Sequence, residues 1–166
     1  YFSHARVTIP PTATIQAAHA NGVEVYGTLI MEWDEGALAT RRIVAGRNGD
    51  SLYYAKKLVE IAEKLGFEGW LVNIEHSMPL AQVDPLVAWV GSFKGLLNAS
   101  NGKKLIWYDS VLNTGELKWQ SALNDKNYRF FPVSDYFFTD YHWIPENLRI
   151  SRLAAGDQVN RVLMGV

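Results

Sequence analysis

The sequence lacks cysteine altogether, which excludes disulfide bonds, thiol nucleophiles and zinc sites built on cysteine. Long apolar runs are missing too, since no window approaches the roughly 18 consecutive apolar residues that a membrane-spanning helix needs. Neither sign of charge dominates, because 16 basic and 17 acidic residues leave a formal charge of -1. Nucleic acids are bound through clustered positive charge. We therefore expect neither a nucleic-acid partner nor a membrane partner.

Motifs of several common enzyme classes are absent as well. The sequence contains no GxGxxG or GxxxxGK[ST] loop for a nucleotide phosphate, and no GxSxG turn for a serine hydrolase. Its 4 histidines show no spacing typical of metal ligands. We therefore predict neither a metal nor a cofactor.

Apolar and aromatic side chains are abundant, at 48% and 13% of the residues, which suffices for the core of one domain. Runs rich in β-formers alternate with amphipathic helical runs. The predicted strands cover residues 24–30, 69–75, 104–109, 135–139 and 161–166. Strands that are apolar on both faces and separated by helices indicate a parallel sheet covered by helices, either doubly wound or a (β/α) barrel.

Two of the helices can be predicted in detail. One covers residues 51–65, where apolar residues recur at three- and four-residue spacing, with Asp50 or Ser51 as its N-cap. The other begins with Asp84 as the cap and Pro85 in the first turn, and its apolar stripe then continues for three turns.

The remaining segments are predicted more coarsely. Residues 39–50 are predicted as a longer loop. Gly22, Gly66 and Gly102 each precede a predicted strand, and we expect them to end helices in the left-handed conformation. Residues 1–4 (YFSH) are predicted as the tip of a further strand, and the sequence stops within the strand predicted over 161–166, so we expect the chain to carry part of a larger sheet.

Polar and aromatic residues gather at the carboxyl ends of the predicted strands, where ligands bind in both parallel architectures. Side chains alternate along a strand, so Leu71, Asn73 and Glu75 share one face while Trp70 lies on the other. Each polar group buried there without a partner would cost about 1 to 3 kcal/mol, so a partner is expected. Aromatic rings beside an amide and a carboxylate suit a carbohydrate, which stacks its C–H faces and hydrogen-bonds through its hydroxyls.

The tryptophans fall into two groups by position. Trp70, Trp89 and Trp107 lie on strand or helix faces that are predicted to turn towards the core. Trp119 and Trp143 lie outside the strands, and they are candidates for a platform on which a sugar stacks.

A family resemblance is carried by five segments. YFSH with VTIPP, then AHANGVEVYGTLIMEW, GFEGWLVNIE, WYDSV and FFTDYHW, in this order, resemble the glycoside hydrolase family 85 endo-β-N-acetylglucosaminidases. The resemblance covers nearly the whole chain, and the combination of GWLVNIE with WYDSV is its most specific part. It implies an α/β fold, the (β/α)8 TIM barrel, with residues 1–166 as part of a single catalytic domain that lacks the first and last strands.

The resemblance also implies an activity. Members of that family hydrolyse the GlcNAc-β1,4-GlcNAc chitobiose core of N-linked glycans, and many transfer the released glycan to an acceptor alcohol. An N-linked glycan or glycopeptide is therefore the expected substrate. A cytoplasmic location is expected, or secretion if the source is bacterial. The sequence does not predict an oligomeric state.

Three residues match the catalytic positions of the family, namely Asn73, Glu75 and Tyr108. By this resemblance Asn73 orients the 2-acetamido group of the substrate, whose oxygen attacks the anomeric carbon to form an oxazoline. Glu75 protonates the leaving oxygen and then deprotonates the acceptor, and Tyr108 lines the pocket. The expected substrate-binding residues are Glu32, Trp33, Trp119, Phe138, Asp140 and Trp143. Asp140 stands where the family pattern has an amide.

Two other readings of the residues stay open. A retaining glycosidase with two carboxylates would use Glu75 as the acid and base, with Glu32 or Asp109 as the nucleophile. A barrel that binds carbohydrate without cleaving it would keep the aromatic and polar rim but would not need the acid.

Overall fold

A computed structural model describes the whole chain, from Tyr1 to Val166, and its centre is one six-stranded sheet. The strands lie in the order of the sequence, and all neighbours are parallel except β1 and β2. Their bounds are Val7–Thr8 for β1, Tyr26–Glu32 for β2, Gly69–Glu75 for β3, Lys104–Tyr108 for β4, Tyr136–Phe138 for β5 and Val162–Leu163 for β6. The predicted parallel sheet is confirmed.

Helices separate the strands, as the alternating pattern predicts. Their bounds are Thr12–Ala20 for α1, Trp33–Ala45 for α2, Tyr53–Leu65 for α3, Leu80–Ala99 for α4 and Pro145–Ala155 for α5, with short 3-10 turns at Tyr128–Phe130 and Gly156–Arg161. None of these helices combines the length and the apolar character needed to cross a bilayer.

All five helices pack on the same face of the sheet. Trp70, Val72 and Ile74 of β3 point into that layer and are fully buried in one hydrophobic cluster, together with residues from every helix. The cluster also takes in Trp89 and Trp107, so the predicted core tryptophans are confirmed. Helices on a single face are the arrangement of a (β/α) barrel, because a doubly wound sheet is covered on both faces. The opposite face of the sheet carries no helix.

The strand predictions are close, although β6 ends at Leu163, three residues before the predicted end, and β2 is shifted by two residues at both ends. Its ladder begins at Tyr26, two residues later than predicted, and runs on to Glu32. The reason is a side chain: the N–H of Val25 donates to Glu68 Oε2 at 2.7 Å, so it is not available to a neighbouring strand. The predicted strand over residues 69–75 matches β3 at both ends.

The start of α4 was predicted wrongly. The helix begins at Leu80, Pro79 precedes it, and Pro85 lies inside it, so Asp84 is not the N-cap. Asp84 instead forms an ion pair with Arg129. Val83 explains the extension, because it is fully buried and continues the apolar stripe of α4 by one turn towards the N-terminus. Burial of that turn outweighs the hydrogen bond that Pro85 cannot donate.

Two other local predictions need correction. Residues 39–50 are not a loop throughout, because α2 continues to Ala45; Ala39 and Ile43 lie one helical turn apart and are both buried. The helix predicted over residues 51–65 begins at Tyr53 rather than after a cap at Asp50 or Ser51. Asp50 still stabilises this entrance, since its Oδ1 accepts the N–H of Leu52 at 3.0 Å.

The prediction for the helix-ending glycines is confirmed. Gly22, Gly66 and Gly102 follow α1, α3 and α4 with φ values of 67°, 79° and 71°. Glycine reaches this left-handed region without a steric penalty, so each helix can end and turn towards the next strand.

Candidate active site

A pocket of about 270 Å³ lies on the face of the sheet that has no helices. Alternation along β3 places Leu71, Asn73 and Glu75 together in it, as predicted. The other strands contribute residues of the same parity, because parallel neighbours in register point to the same side. The full lining is Tyr1, Phe2, Tyr26, Thr28, Leu71, Asn73, Glu75, Tyr108, Phe138 and Tyr141.

Asn73 and Glu75 contact each other directly within this pocket. The Nδ2 group of Asn73 donates a hydrogen bond to Oε1 of Glu75 at 3.0 Å. Asn73 is only 4% exposed, and its other polar atom, Oδ1, is buried without a hydrogen-bond partner. Such an acceptor costs about 1 to 3 kcal/mol unless something donates to it. The site therefore contains a buried acceptor without a partner next to a carboxylate.

Tyr108 at the end of β4 adds a neutral phenol to the same pocket. Burial raises its pKa above the ordinary tyrosine value, and the negative charges of Glu75 and Asp140 raise it further. The hydroxyl group therefore keeps its proton at any physiological pH and is able to donate a hydrogen bond. Its ring stacks on Phe138 with a centroid distance of 6.0 Å, and Phe138 meets Tyr141 edge to face at 5.9 Å. These rings form an aromatic wall beside the amide and carboxylate.

Glu32 and Trp33 lie in a neighbouring polar pocket of about 350 Å³, which is lined by His4, Arg6, Ile30, Glu32, Trp33 and Glu35. Glu32 is the register partner of Glu75, so the two pockets are adjacent. Its carboxylate is turned to His4, with Oε1 at 3.1 Å from Nδ1. Trp33 is 65% exposed and has a φ of 56°, a strained conformation for so bulky a residue.

Asp140 and Trp143 hold the segment after β5 in place rather than lining either pocket. Asp140 is buried, and its Oδ1 accepts the N–H of His142 at 3.1 Å. The indole N–H of Trp143 donates to the carbonyl oxygen of Gly165 at 2.6 Å, beyond the end of β6. Trp119 is exposed and belongs to neither pocket. The structure therefore does not place these three residues in the pocket with Asn73 and Glu75.

Asp109 follows Tyr108 but faces the protein interior. It is fully buried, its Oδ1 accepts from Nδ2 of Asn127, and its Oδ2 accepts the N–H of Gln120, both at 2.9 Å. Burial raises the pKa of Asp109 to about 6, although its hydrogen bonds oppose the rise. Since both oxygens are occupied and Asp109 lines neither of these two pockets, the structure does not place Asp109 where a nucleophile is needed.

Several lining residues were missed by the reasoning from sequence. Tyr26 and Thr28 share a parity with Glu32, and they are opposite Gly69 and Leu71 in the ladder. Alternation applied to β2 as well as to β3 would have found them. Tyr141 carried no comparable signal, because it lies in a loop whose path depends on tertiary contacts.

The model of glycosyl hydrolase family 85 matches residues 1–166. Cytosolic endo-beta-N-acetylglucosaminidase 2 of Arabidopsis thaliana is 41% identical over 100% of this chain and 24% of its own length. Cytosolic endo-beta-N-acetylglucosaminidase of Homo sapiens is also 41% identical, over 100% of this chain and 22% of its own length. The chain therefore spans about a quarter of the length of the curated relatives that it matches.

Solved structures share the fold. The glycoside hydrolase domain of Endo-D from Streptococcus pneumoniae R6 superposes with a TM-score of 0.77 and 24% identity, over 94% of this chain and 27% of that one. Endo-beta-N-acetylglucosaminidase from Cordyceps militaris superposes with a TM-score of 0.59 and 16% identity, over 90% of this chain and 48% of that one. The predicted α/β TIM-barrel fold is confirmed, and this sheet forms part of such a barrel. Which barrel strands lie outside it stays a prediction.

Proposed function

This chain belongs to glycosyl hydrolase family 85, and from that premise we propose that it carries the catalytic centre of an endo-β-N-acetylglucosaminidase. The substrate is an N-linked glycan, cut between the two GlcNAc residues of its chitobiose core. The observation that supports this proposal most is the contact of Asn73 with Glu75, in which one amide atom is left without a partner. Residues 1–166 contribute to a single catalytic domain.

The first step is an attack by the substrate on itself. The oxygen of the 2-acetamido group forms a bond to the anomeric carbon, while the bond from that carbon to the departing GlcNAc oxygen breaks. Glu75 gives its proton to that oxygen. Asn73 Oδ1 accepts the acetamide N–H, which orients the group and stabilises the positive charge that develops on it. The product that stays in the pocket is an oxazolinium ion, the protonated form of the oxazoline, because the N–H that Asn73 Oδ1 accepts stays on the nitrogen.

The second step restores the acetamide with retention at the anomeric carbon. A water molecule attacks this carbon, Glu75 takes the proton from the water, and the bond to the acetamide oxygen breaks. A sugar hydroxyl in place of water gives transglycosylation by the same route. Because only Oε1 of Glu75 accepts from Asn73, the other carboxylate oxygen is free to carry the transferred proton.

Tyr108 supports both steps from β4, the strand next to β3. Its phenol keeps its proton next to Glu75 and Asp140, so it donates a hydrogen bond to the reacting acetamide region. Phe138 and Tyr141 offer the flat faces on which a pyranose ring stacks. Glu32 and Trp33 bind a further part of the glycan, which is supported by their position in the adjacent pocket.

The family name of the relatives also bears on location. The curated relatives from plants and vertebrates are named cytosolic, and we extend a cytoplasmic location to the full-length protein. Separation of cytosolic and secreted fractions, followed by immunodetection, tests this; recovery in the secreted fraction would contradict it.

The test of the activity uses the full-length protein with a high-mannose glycopeptide. Mass spectrometry should show the peptide with a single GlcNAc, together with the released glycan. Binding without cleavage would favour a carbohydrate-binding barrel. A trapped covalent glycosyl-enzyme would favour the mechanism with two carboxylates, for which Glu32 is the reachable partner. Addition of a GlcNAc acceptor should yield a transfer product if the oxazoline is intercepted.

A further inference from the structure

The long connection between β4 and β5, residues 109–135, is organised around one buried carboxylate. Asp109 accepts from the side chain of Asn127 and from the backbone of Gln120, both at 2.9 Å. Asn127 is itself fully buried and also donates to the carbonyl oxygen of Ala122 at 2.8 Å. The Asp109 N–H donates to Phe138 O at 2.8 Å. Asp109 therefore ties the middle of the connection, at Gln120 and Asn127, to the end of β4.

The same connection contacts the turn that follows Glu75. The N–H of Met78 donates to Gly115 O at 2.8 Å, and the N–H of Leu117 donates to Ser77 Oγ at 3.0 Å. Gly115 has a φ of +86°, and a Cβ atom there would lie 2.2 Å from Met78 O. The two segments thus interlock through one backbone–backbone hydrogen bond and one bond to the Ser77 hydroxyl, three and two residues beyond the proposed acid.

A buried charge is an expensive way to fold a loop. Desolvation disfavours the ionised form of Asp109, which is why its pKa is raised to about 6. A neutral side chain would avoid that cost if folding were the only requirement. The ionised carboxylate has one advantage, since each of its oxygens can accept from a different donor without a proton in the way. It therefore fixes the connection more tightly than a neutral group would.

We propose that Asp109 is a positioning residue for Glu75: it holds the connection between β4 and β5, and the connection holds the turn at Ser77 and Met78 in the geometry that aims the acid. This inference rests on the proposed role of Glu75 in the reaction. Asp109 touches neither substrate nor reacting atoms. It acts through Gly115 and Leu117, the residues of the connection that are hydrogen-bonded to Met78 and Ser77.

The ionised form of Asp109 is the form that holds the connection, and through it the turn after Glu75, in place. Loss of its charge places a proton between the carboxylate and one of its donors, so one anchor of the connection weakens. Asp140, on the segment after β5, is the charged group that acts on Asp109, while Asn127, Gln120 and Ser121 approach it as neutral donors. Activity should therefore fall as the pH drops through about 6, in addition to any effect of Glu75 itself.

The test compares Asp109→Asn and Gly115→Ala in the full-length protein. Asp109→Asn removes one acceptor at nearly the same volume, and Gly115→Ala separates the interlocked segments from the other end. We expect kcat on the glycopeptide to fall about 10-fold or more in each, with KM changed less than about threefold, because the proton donor is misaimed while the sugar still binds. Asp109→Asn should also lose the step in the pH profile near 6.

Asp125→Asn is the matched control. It makes the same chemical change in the same connection, but at an exposed residue, and it should leave kcat and the pH profile unchanged. Amide hydrogen exchange supplies a readout that does not depend on turnover. The Met78 and Leu117 amides should exchange faster in Asp109→Asn than in the wild type, because both of their hydrogen bonds join the turn to the loosened connection.

The outcomes separate this inference from the proposed function. A wild-type protein that cleaves no glycopeptide contradicts the proposed function, and the exchange data then decide the positioning alone. Unchanged exchange at Met78 together with unchanged kcat in both variants would overturn the inference. Loss of melting temperature and kcat in parallel, with the pH step retained in whatever variant still folds, would assign Asp109 a merely structural role and would overturn it as well.

Discussion

Two neighbouring residues at the end of β4 define two different regions of this protein. Tyr108 faces an open pocket, where it is half-buried beside Glu75, while Asp109 faces a closed polar cluster. In the pocket, Asn73 Oδ1 has no partner. In the cluster, both oxygens of Asp109 and both ends of the Asn127 side chain are hydrogen-bonded.

The contrast shows how hydrogen-bonding capacity is divided between binding and support. An unpaired acceptor in the pocket is unfavourable until a ligand donates to it, so it marks a place prepared for a substrate. A saturated cluster has no capacity left for a ligand, and it can only fix geometry. Substitutions in the pocket should therefore lower activity without changing stability. Substitutions in the cluster should change the position of the backbone, and with it the pH dependence of activity and stability.

The largest effect is expected for Glu75→Gln. The amide can still accept from Asn73 through its oxygen, so the pocket should stay folded, but it cannot transfer a proton. General acid and base catalysis contributes about 10² to 10⁴-fold to a rate, and we expect kcat to fall about 10³-fold in the full-length protein at an unchanged melting temperature. A variant that keeps a tenth of the wild-type rate would remove Glu75 from the mechanism.

Asn73→Ala should come next, with a loss of about 10² in hydrolysis of intact glycan. A preformed oxazoline has already passed the assisted step, so its turnover should be retained in part. The free energy of unfolding should change little, because the amide group that is removed from the buried site includes an acceptor without a partner. Parallel rate assays with both substrates check this, and equal losses on the two would contradict the division of work between Asn73 and Glu75.

Tyr108→Phe should have a smaller effect, a loss of about 10-fold in kcat/KM. It removes one hydrogen bond to the reacting region and keeps the ring stacked on Phe138. Tyr128→Phe is the matched control, since Tyr128 is exposed and outside the pocket. Equal rates for these two variants would show that the phenol of Tyr108 takes no part in the reaction.

The smallest effect is expected on the pH dependence of the free energy of unfolding, and it arises from Asp109. Its pKa is raised from 3.8 to about 6 in the folded protein, so the folded state binds its proton more tightly than the unfolded state. Protonation therefore stabilises the fold as the pH falls, and this contribution is lost again as the pH rises through about 6. Between about pH 7 and pH 5 it amounts to about 1 kcal/mol.

Urea unfolding of the wild type and of Asp109→Asn at both pH values measures this contribution of Asp109 to the free energy of unfolding. The difference between the two proteins should shift by that amount in favour of the wild type at the lower pH, since the amide has no proton to gain. A difference that does not depend on pH would mean that Asp109 titrates in the same way in both states.

Much of the fold and of the proposed catalytic pair was accessible from sequence, because both depend on local periodicity. The strand over 69–75 was predicted at both ends, and its alternation places Asn73 and Glu75 on one face. The start of α4 was not accessible, because burial of Val83 against the sheet overrides the break that Pro85 suggests.

The rim was predicted less well than the strands. Phe138 does line the pocket with Tyr108, but Asp140 and Trp143 are engaged with His142 and Gly165 in the segments after β5 and β6. Residues in loops have no periodicity that fixes their direction. Their positions depend on partners far away in the chain, which the order of residues does not reveal.

The sequence by itself determined the alternation of strands and helices, the glycines that end α1, α3 and α4, and the shared face of Asn73 and Glu75. These features follow from steric rules that act between residues a few positions apart. Only the tertiary structure decided that Tyr108 opens into a pocket while Asp109 is sealed, and that Gly115 meets Met78. Those facts depend on contacts between distant segments, whose geometry is fixed only when the whole sheet and its helices pack together.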